Sequence, residues 1–448
     1  MRDLLLLAAL VFIAGLTTRS TIVGIMAWMW VSLLSPQREV YGFLADAQLN
    51  VYIAVFTLMC WAASRERKIF PFNGVTAALV VFGLYTALST AFALAPEHST
   101  PLFVRTLKTM ILALGVVTLA NTPARIQATI WALVLSVGYY GVRGGGFTLL
   151  TAGRNKVFGP ENTMITDNNL LGLALVVLLP LFGYLRQTSR SPIVRWGLLV
   201  AIVMNVLAIL GTYSRGALVA LGLLAVLSAV RSRWGIPLLI AGAIAAAAIP
   251  AALPAIMPTA WVERMHSIQS FDKDESFAGR IAAWRTSAEI ARQRPFTGGG
   301  FASTELTQVV NQFPTENGLT TGLAAHSIYF QILGDHGYVG FLLYFGMIGL
   351  ALVNTVRVGM VARSRPDLDW AVKLARMLQL SIFAFLVGGA ALSAAYYDLY
   401  LIVFCLTAAV MDFVRREVSG LNTGRVPSWR KAQPKPVRGA AAATRQGS

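Results

Sequence analysis

Residues 196–230, WGLLVAIVMNVLAILGTYSRGALVALGLLAVLSAV, decide the architecture. Two apolar runs, 196–212 and 216–230, are separated only by a short polar break that ends on the cation Arg215. Each run is close to the length a helix needs to cross about 30 Å of hydrocarbon. The pair reads as two membrane helices that meet with almost no loop, Tyr213, Ser214 and Arg215 marking the junction. Outward from it, apolar stretches recur near 4–17, 20–35, 48–63, 75–94, 101–120, 123–142, 168–185, 235–253, 326–356, 377–393 and 399–414. The expected fold is therefore an all-α polytopic membrane protein of 12–13 transmembrane helices. The uncertainty in number lies in residues 1–35, where two short runs flank Thr17–Thr21 and form either two spans or one broken span. Neither resembles a cleavable signal.

Composition agrees with this reading. The 448 residues are 56% hydrophobic and 13% charged, with mean hydropathy +0.64. Soluble domains are about a quarter charged, so a soluble globular protein is excluded. The net charge of +17 does not indicate nucleic acid, because apolar runs separate the bases instead of leaving them on one solvated face. Cys60 and Cys405 lie inside apolar runs, which suggests neither a disulfide framework nor a thiolate metal site. The bases report topology instead. Arg65, Arg67 and Lys68, Arg125, Arg186, Arg190 and Arg195, Arg231 and Arg233, Arg357 to Arg376 and the C-terminal cluster fall on alternate connections, which the positive-inside rule makes cytoplasmic. Four regions result: N-terminal transmembrane helices over 1–253, a large periplasmic loop with short helices over 254–322, C-terminal transmembrane helices over 323–414, and a basic tail, 415–448, expected to be disordered against anionic lipid.

Proton- and cation-coupled transporters usually keep carboxylates near the bilayer midplane. Here nearly all of the 20 acids sit in loops or at span ends; Asp335 is the exception, and it reads as a structural partner of Arg or His. The outer face gathers cations that the topology rule does not require: Arg105, Lys108, Arg143, Arg154, Lys156 and Arg215. A snorkelling anchor is the plain explanation of an interfacial arginine. At the Arg215 junction, however, the guanidinium must point into the bundle or along its rim, and its planar donor fork suits phosphate. In the loop, Arg280, Ile281, Trp284, Arg285, Ala288, Ala291 and Arg292 have helical spacing, with Ile281, Trp284, Ala288 and Ala291 on one stripe and Arg280 a turn before Trp284. A helix lying on the membrane surface would account for Arg285, Arg292 and Arg294. His326 then opens a long helix, where first-turn N–H groups attract anions and keep an imidazole neutral. A neutral imidazole beside phosphate suits proton removal from a hydroxyl, although a lone interfacial histidine is more often structural. Gly334, Gly337 and Gly340 form a small-residue seam for close helix packing. Asp272, Asp274 and Glu275 lack the ligand spacing of a calcium loop.

Thr212-Tyr-Ser-Arg215-Gly-Ala, then Gly279-Arg280 with Trp284, Pro295 and Gly298–Gly300, then His326-Ser327 with a glycine-rich helix, in this order around one outer loop, resemble the O-antigen ligase and O-antigen polymerase superfamily. The likeness covers most of the chain. Phe158-Gly-Pro-Glu-Asn-Thr-Met-Ile-Thr-Asp167-Asn168-Asn169 is similar to the O-glycosylation ligases associated with exosortase A systems. The resemblance implies a glycosyltransferase of the bacterial inner membrane acting on the periplasmic face. It would move a glycan from undecaprenyl pyrophosphate to the hydroxyl of a glycan, lipid or protein acceptor, with inversion and without metal or cofactor. Arg215 and Arg280 would hold the pyrophosphate and His326 would activate the acceptor, with Tyr213, Ser214, Trp284, Arg285, Asp167 and Asn168 lining the substrate site. A polymerase of the same superfamily and a lipid-linked glycan flippase are the alternatives; the latter would favour cations in both leaflets and a two-half repeat.

Overall fold

A computed structural model describes residues 1–66, 70–230, 237 and 275–420. The expected span 235–253 apart from residue 237, the bases Arg67, Lys68, Arg231 and Arg233, the loop residues 254–274 with His266, Asp272 and Asp274, and the tail from 421 lie outside the described residues. Within them the apolar runs become helices and no strand is present. In chain order these are α1 (Arg2–Arg19), α2 (Thr21–Leu34), α3 (Leu49–Ala63), α4 (Gly74–Ala91), α5 (Pro96–Leu119), α6 (Pro123–Leu150), α7 (Asn168–Thr188), α8 (Pro192–Gly211), α9 (Arg215–Val230), α10 (Glu275–Gln293), α11 (Thr307–Val310), α12 (Ile328–Val361), α13 (Asp369–Gly388) and α14 (Asp398–Val418). Six described segments are long and apolar enough to cross a membrane, among them α4, α5, α7, α8 and α12, and three shorter apolar helices, α2, α3 and α9, accompany them. The architecture is thus all-α and polytopic.

The N-terminal question resolves into two helices. Ser20, in extended backbone at φ −151°, separates α1 from α2. At the far end of α1, the Asp3 carboxylate accepts from the N–H of Leu44, 3.1 Å away, beyond the end of α2. The two are therefore antiparallel, with Arg2 at the same end as residues 39–44, where it donates to the carbonyl of Glu39.

Helix α7 is buried on every side from Leu171 to Phe182, and α14 nearly so from Asp398 to Val414. Helices apolar all round belong in the middle of a bundle. Helix α13 packs on both of them and on α9 and α12. Contacts at the helix ends sort the connections into two sets. At one end Arg125 makes a two-pronged ion pair with Glu66 (2.9 and 3.1 Å) and Arg416 reaches the carbonyl of Asn121. At the other end Arg143 pairs with Glu39, the Val157 N–H donates to the Gly211 carbonyl, and the Leu94 N–H donates to the Gly299 carbonyl. The second end carries α10 and is called the loop end below.

The glycine seam does not run along one continuous helix. Helix α12 breaks at Gly337, whose φ of 66° and ψ of −168° lie in a region essentially open to glycine alone. The break frees backbone groups, and the Pro295–Gly300 turn takes them up: Gly299 N–H to Gly334 O and Gly300 N–H to Asp335 O, both 2.9 Å, and Tyr338 N–H to Pro295 O, 2.9 Å. Buried backbone left unpaired costs too much to persist. The segment 338–361 remains about 36 Å long, enough to cross a bilayer alone. Gly337→Ala is expected to destabilise the fold by at least ~1–3 kcal/mol through backbone strain, more because a β-carbon there would lie 2.5 Å from the Pro295 carbonyl oxygen. A thermal melt of the purified variant in detergent checks it; an unchanged melting temperature would mean that the break is not required.

Candidate active site

The junction between α8 and α9 is built as its residues dictate. Helix α8 ends at Gly211 and α9 begins at Arg215. Tyr213 between them has φ 55°, the left-handed turn that allows so tight a reversal, and its hydroxyl donates to the Gly153 carbonyl. The Ser214 Oγ accepts from the N–H of Ala217 (3.3 Å), capping α9. Asn168 fastens the junction from the side, its Nδ2 donating to the Thr212 carbonyl at 2.7 Å. Asp167, one residue earlier, caps α7 by accepting from the N–H groups of Asn169 and Leu170. The preceding loop is folded around one carbonyl: the hydroxyls of Thr163 and Thr166 both donate to Pro160 O, at 2.7 and 2.8 Å. Gly159 is needed there because a β-carbon would fall 1.8 Å from Ile165 O.

Helix α10 packs on α12. Its buried face is Ala283, Thr286, Ser287, Ile290 and Ala291, shifted from the stripe expected at Ile281, Trp284, Ala288 and Ala291. Small side chains win this face because Ser287 must sit against Gly334, where a β-carbon would be 3.1 Å away. Trp284 becomes a peg between the two helices. Its Nε1 donates to the Ala325 carbonyl at 2.8 Å, and its ring stacks on Phe330 with centroids 5.1 Å apart. Arg280 stands one turn before Trp284 on that side, so this peg delivers the guanidinium to the neighbourhood of residue 326.

His326 lies just before α12, not in its first turn, because Ser327 is the N-cap. Its φ of 46° is left-handed, and its N–H donates to Ser393 Oγ at 2.8 Å. The ring is half-buried. Burial, and then the positive charge of Arg280, hold the imidazole below its ordinary pKa, while Asp167 pulls the other way. The neutrality expected from a helix N-terminus therefore has another origin. Ser393 belongs to a connection assigned in the sequence to a span over 377–393. Helix α13 stops at Gly388 instead, and a 3-10 turn, Gly389–Ala391, follows. That turn touches both other parts of the site: a β-carbon on Gly389 would meet the Ile328 side chain at 2.8 Å, and one on Gly216 would meet the Ala391 Cβ at 3.7 Å.

The fold thus gathers Asp167, Asn168, the Tyr213–Arg215 junction, Arg280, Trp284 and His326 around the connection from α13 to α14. Arg285 is not gathered with them: it is exposed and donates to the Glu316 carbonyl at 3.4 Å. Arg292 pairs with Glu289, and the Arg294 Nε donates to Gly298 O at 2.6 Å within the turn that covers the break in α12.

A second polar group was not legible as a unit. The Tyr396 hydroxyl donates to Asp335 Oδ2 (2.8 Å) and lies 3.0 Å from His336 Nε2; the Ser89 Oγ lies 2.9 Å from His336 Nδ1; the Ser303 N–H donates to Asp335 Oδ1 at 3.2 Å. Asp335 therefore does have a structural partner, though it is a tyrosine and a backbone amide and not the expected Arg or His. The signal in the sequence was the adjacent Asp335-His336-Gly337, three residues unsuited to a membrane helix interior.

Residues 200–345 match a family described as O-antigen ligase. Residues 1–190 match a family of unknown function, DUF5935. No curated protein matches the chain. Arg215, Arg280, Trp284 and His326 fall within the first match and Asp167 and Asn168 within the second, whereas Ser393 and Tyr396 lie beyond both. The first match supports an enzyme of the membrane ligase or polymerase type.

Proposed function

We propose that the chain is a membrane glycosyltransferase that moves a glycan from undecaprenyl pyrophosphate to an acceptor hydroxyl at the loop end of the bundle, which we take as the periplasmic face of the bacterial inner membrane. The observation that carries this reading is the meeting of His326 with Arg280 under the Trp284 peg, within the stretch that matches the O-antigen ligases. In the proposed step the acceptor oxygen attacks the anomeric carbon from the face opposite the leaving group. His326 takes the hydroxyl proton, the carbon–oxygen bond to pyrophosphate breaks, and the electron pair leaves with the pyrophosphate. Arg280 and Arg215 stabilise the charge that develops there, the help a metal ion supplies in other transferases. Asp167 faces the imidazolium formed in the step with an opposite charge. Tyr213, Ser214 and Asn168 hold the junction that carries Arg215, and the Phe158–Asn169 loop supports placing the chain with the O-glycosylation ligases of exosortase systems.

The test is the purified protein in liposomes with an undecaprenyl-pyrophosphate glycan and a separate hydroxyl acceptor, followed by mass spectrometry of both. Glycan on the acceptor, formed equally well with chelator present, is the expected result. Chains that lengthen on the lipid carrier would make the protein a polymerase, and donor that crosses the bilayer unaltered would make it a flippase.

A further inference from the structure

Apart from the His326 site, a groove of about 610 Å³ lies at the loop end, walled by α2, α3, α5 and the loop before α7. Helices α3 and α5 both pack on α2, the groove is lined by all three, and its apolar side chains Val55, Leu58 and Ile111 are exposed. Its level in the bundle is set by Asp398, the first residue of α14, which accepts hydrogen bonds from Ser32 near the end of α2 and from Thr109 of α5. Above that level the lining is polar and cationic: Arg38, Arg105, Lys108, Gln48 and Asn162. Below it the lining is Trp28, Val51, Val55, Leu58 and Leu112, reaching about 14 Å down α3 from Leu49 at 1.5 Å per residue.

Charge in the groove is unevenly matched. Asp46 is fully exposed and lies 3.9 Å from Arg38, and Asp398 is occupied by two hydroxyls. Arg105 and Lys108, one turn apart on α5, have no ion-pair partner among the described residues. A cationic rim above an exposed apolar trough is complementary to an anionic head on an alkyl chain. We infer that this groove binds a phosphate-bearing lipid of the loop-side leaflet, its phosphate between Arg105 and Lys108 and one chain along Trp28, Val55 and Leu58. The site is separate from Arg215, Arg280 and His326, and it stands whether or not the chain transfers glycans. Asn162, Thr163 and Met164 line it, and Asp167 of the same loop lies beside His326, so a lipid seated here braces one wall of the other site.

The test uses the full chain, delipidated in detergent, with phosphatidylglycerol as the probe and native mass spectrometry as the readout. Wild type is expected to retain the lipid. Arg105→Ala/Lys108→Ala, both exposed and so tolerant of replacement, is expected to weaken binding at least tenfold, and Leu58→Trp to weaken it by filling the trough; thermal melts verify that both variants are folded. Diacylglycerol, which lacks the phosphate, is expected to bind poorly, and inorganic phosphate to displace little. Equal binding by the double variant, or equal retention of diacylglycerol, overturns the proposal. Full displacement by inorganic phosphate overturns it too, since that marks an anion site without a chain.

Discussion

His326→Ala is expected to lower glycan transfer by roughly 10²–10⁴-fold, the usual contribution of a positioned general base, while protein level and lipid-linked donor persist. The loss should be chemical and not structural. The hydrogen bond that seats this residue comes from its backbone N–H to Ser393, and alanine keeps that donor. The rate should also carry a pH signature. A base works in its neutral form, and burial together with Arg280 holds this imidazole below its ordinary 6.5. The midpoint of the acid limb of the pH–rate profile should therefore lie below pH 6.5. Undiminished transfer in the alanine variant would remove His326 from the mechanism; a decline centred above pH 6.5 would assign the acid limb to another group.

Arg280→Ala is expected to cost about 10²–10³-fold, the scale seen when one fixed donor to a developing oxyanion is removed. Arg280→Lys should recover part of this, because it keeps the charge and loses the planar fork. The same substitution has a second readout that a simple packing role would not move. Arg280 lowers the pKa of His326, so its removal lets the imidazolium form more readily and the acid limb of the pH–rate profile should shift to higher pH. Arg280→Lys should leave the limb nearly in place. A limb that moves to lower pH in Arg280→Ala would contradict the electrostatic arrangement described for the site, and an unchanged rate would exclude Arg280 from donor binding.

Much of the protein was legible because a bilayer imposes simple rules. Spans must be apolar and helical, connections must gather the charges, and an arginine between two abutting spans has few places to go. Asp167, Asn168, Tyr213, Ser214, Arg215, Arg280, Trp284 and His326 were all chosen on such grounds or on family likeness, and the fold brings them to one end of the bundle. Arg285 shows the limit of that reasoning: one step along the helix from Trp284, it faces Glu316 instead. Periodicity placed α10 and shifted its buried face, since hydrophobicity favoured Ile281 while close approach to Gly334 demanded a small side chain at Ser287.

Sequence by itself determined that this is a helical membrane protein with an excess of base on alternate connections, and which cations and which histidine were candidates for chemistry. Tertiary structure decided the rest. It broke α12 at Gly337 and closed the break with the Pro295–Gly300 turn, because freed backbone groups away from water must find partners. It seated His326 through Ser393 and Ala325, and it opened the groove between α3 and α5. Those contacts join residues far apart in the chain, and no local periodicity encodes them.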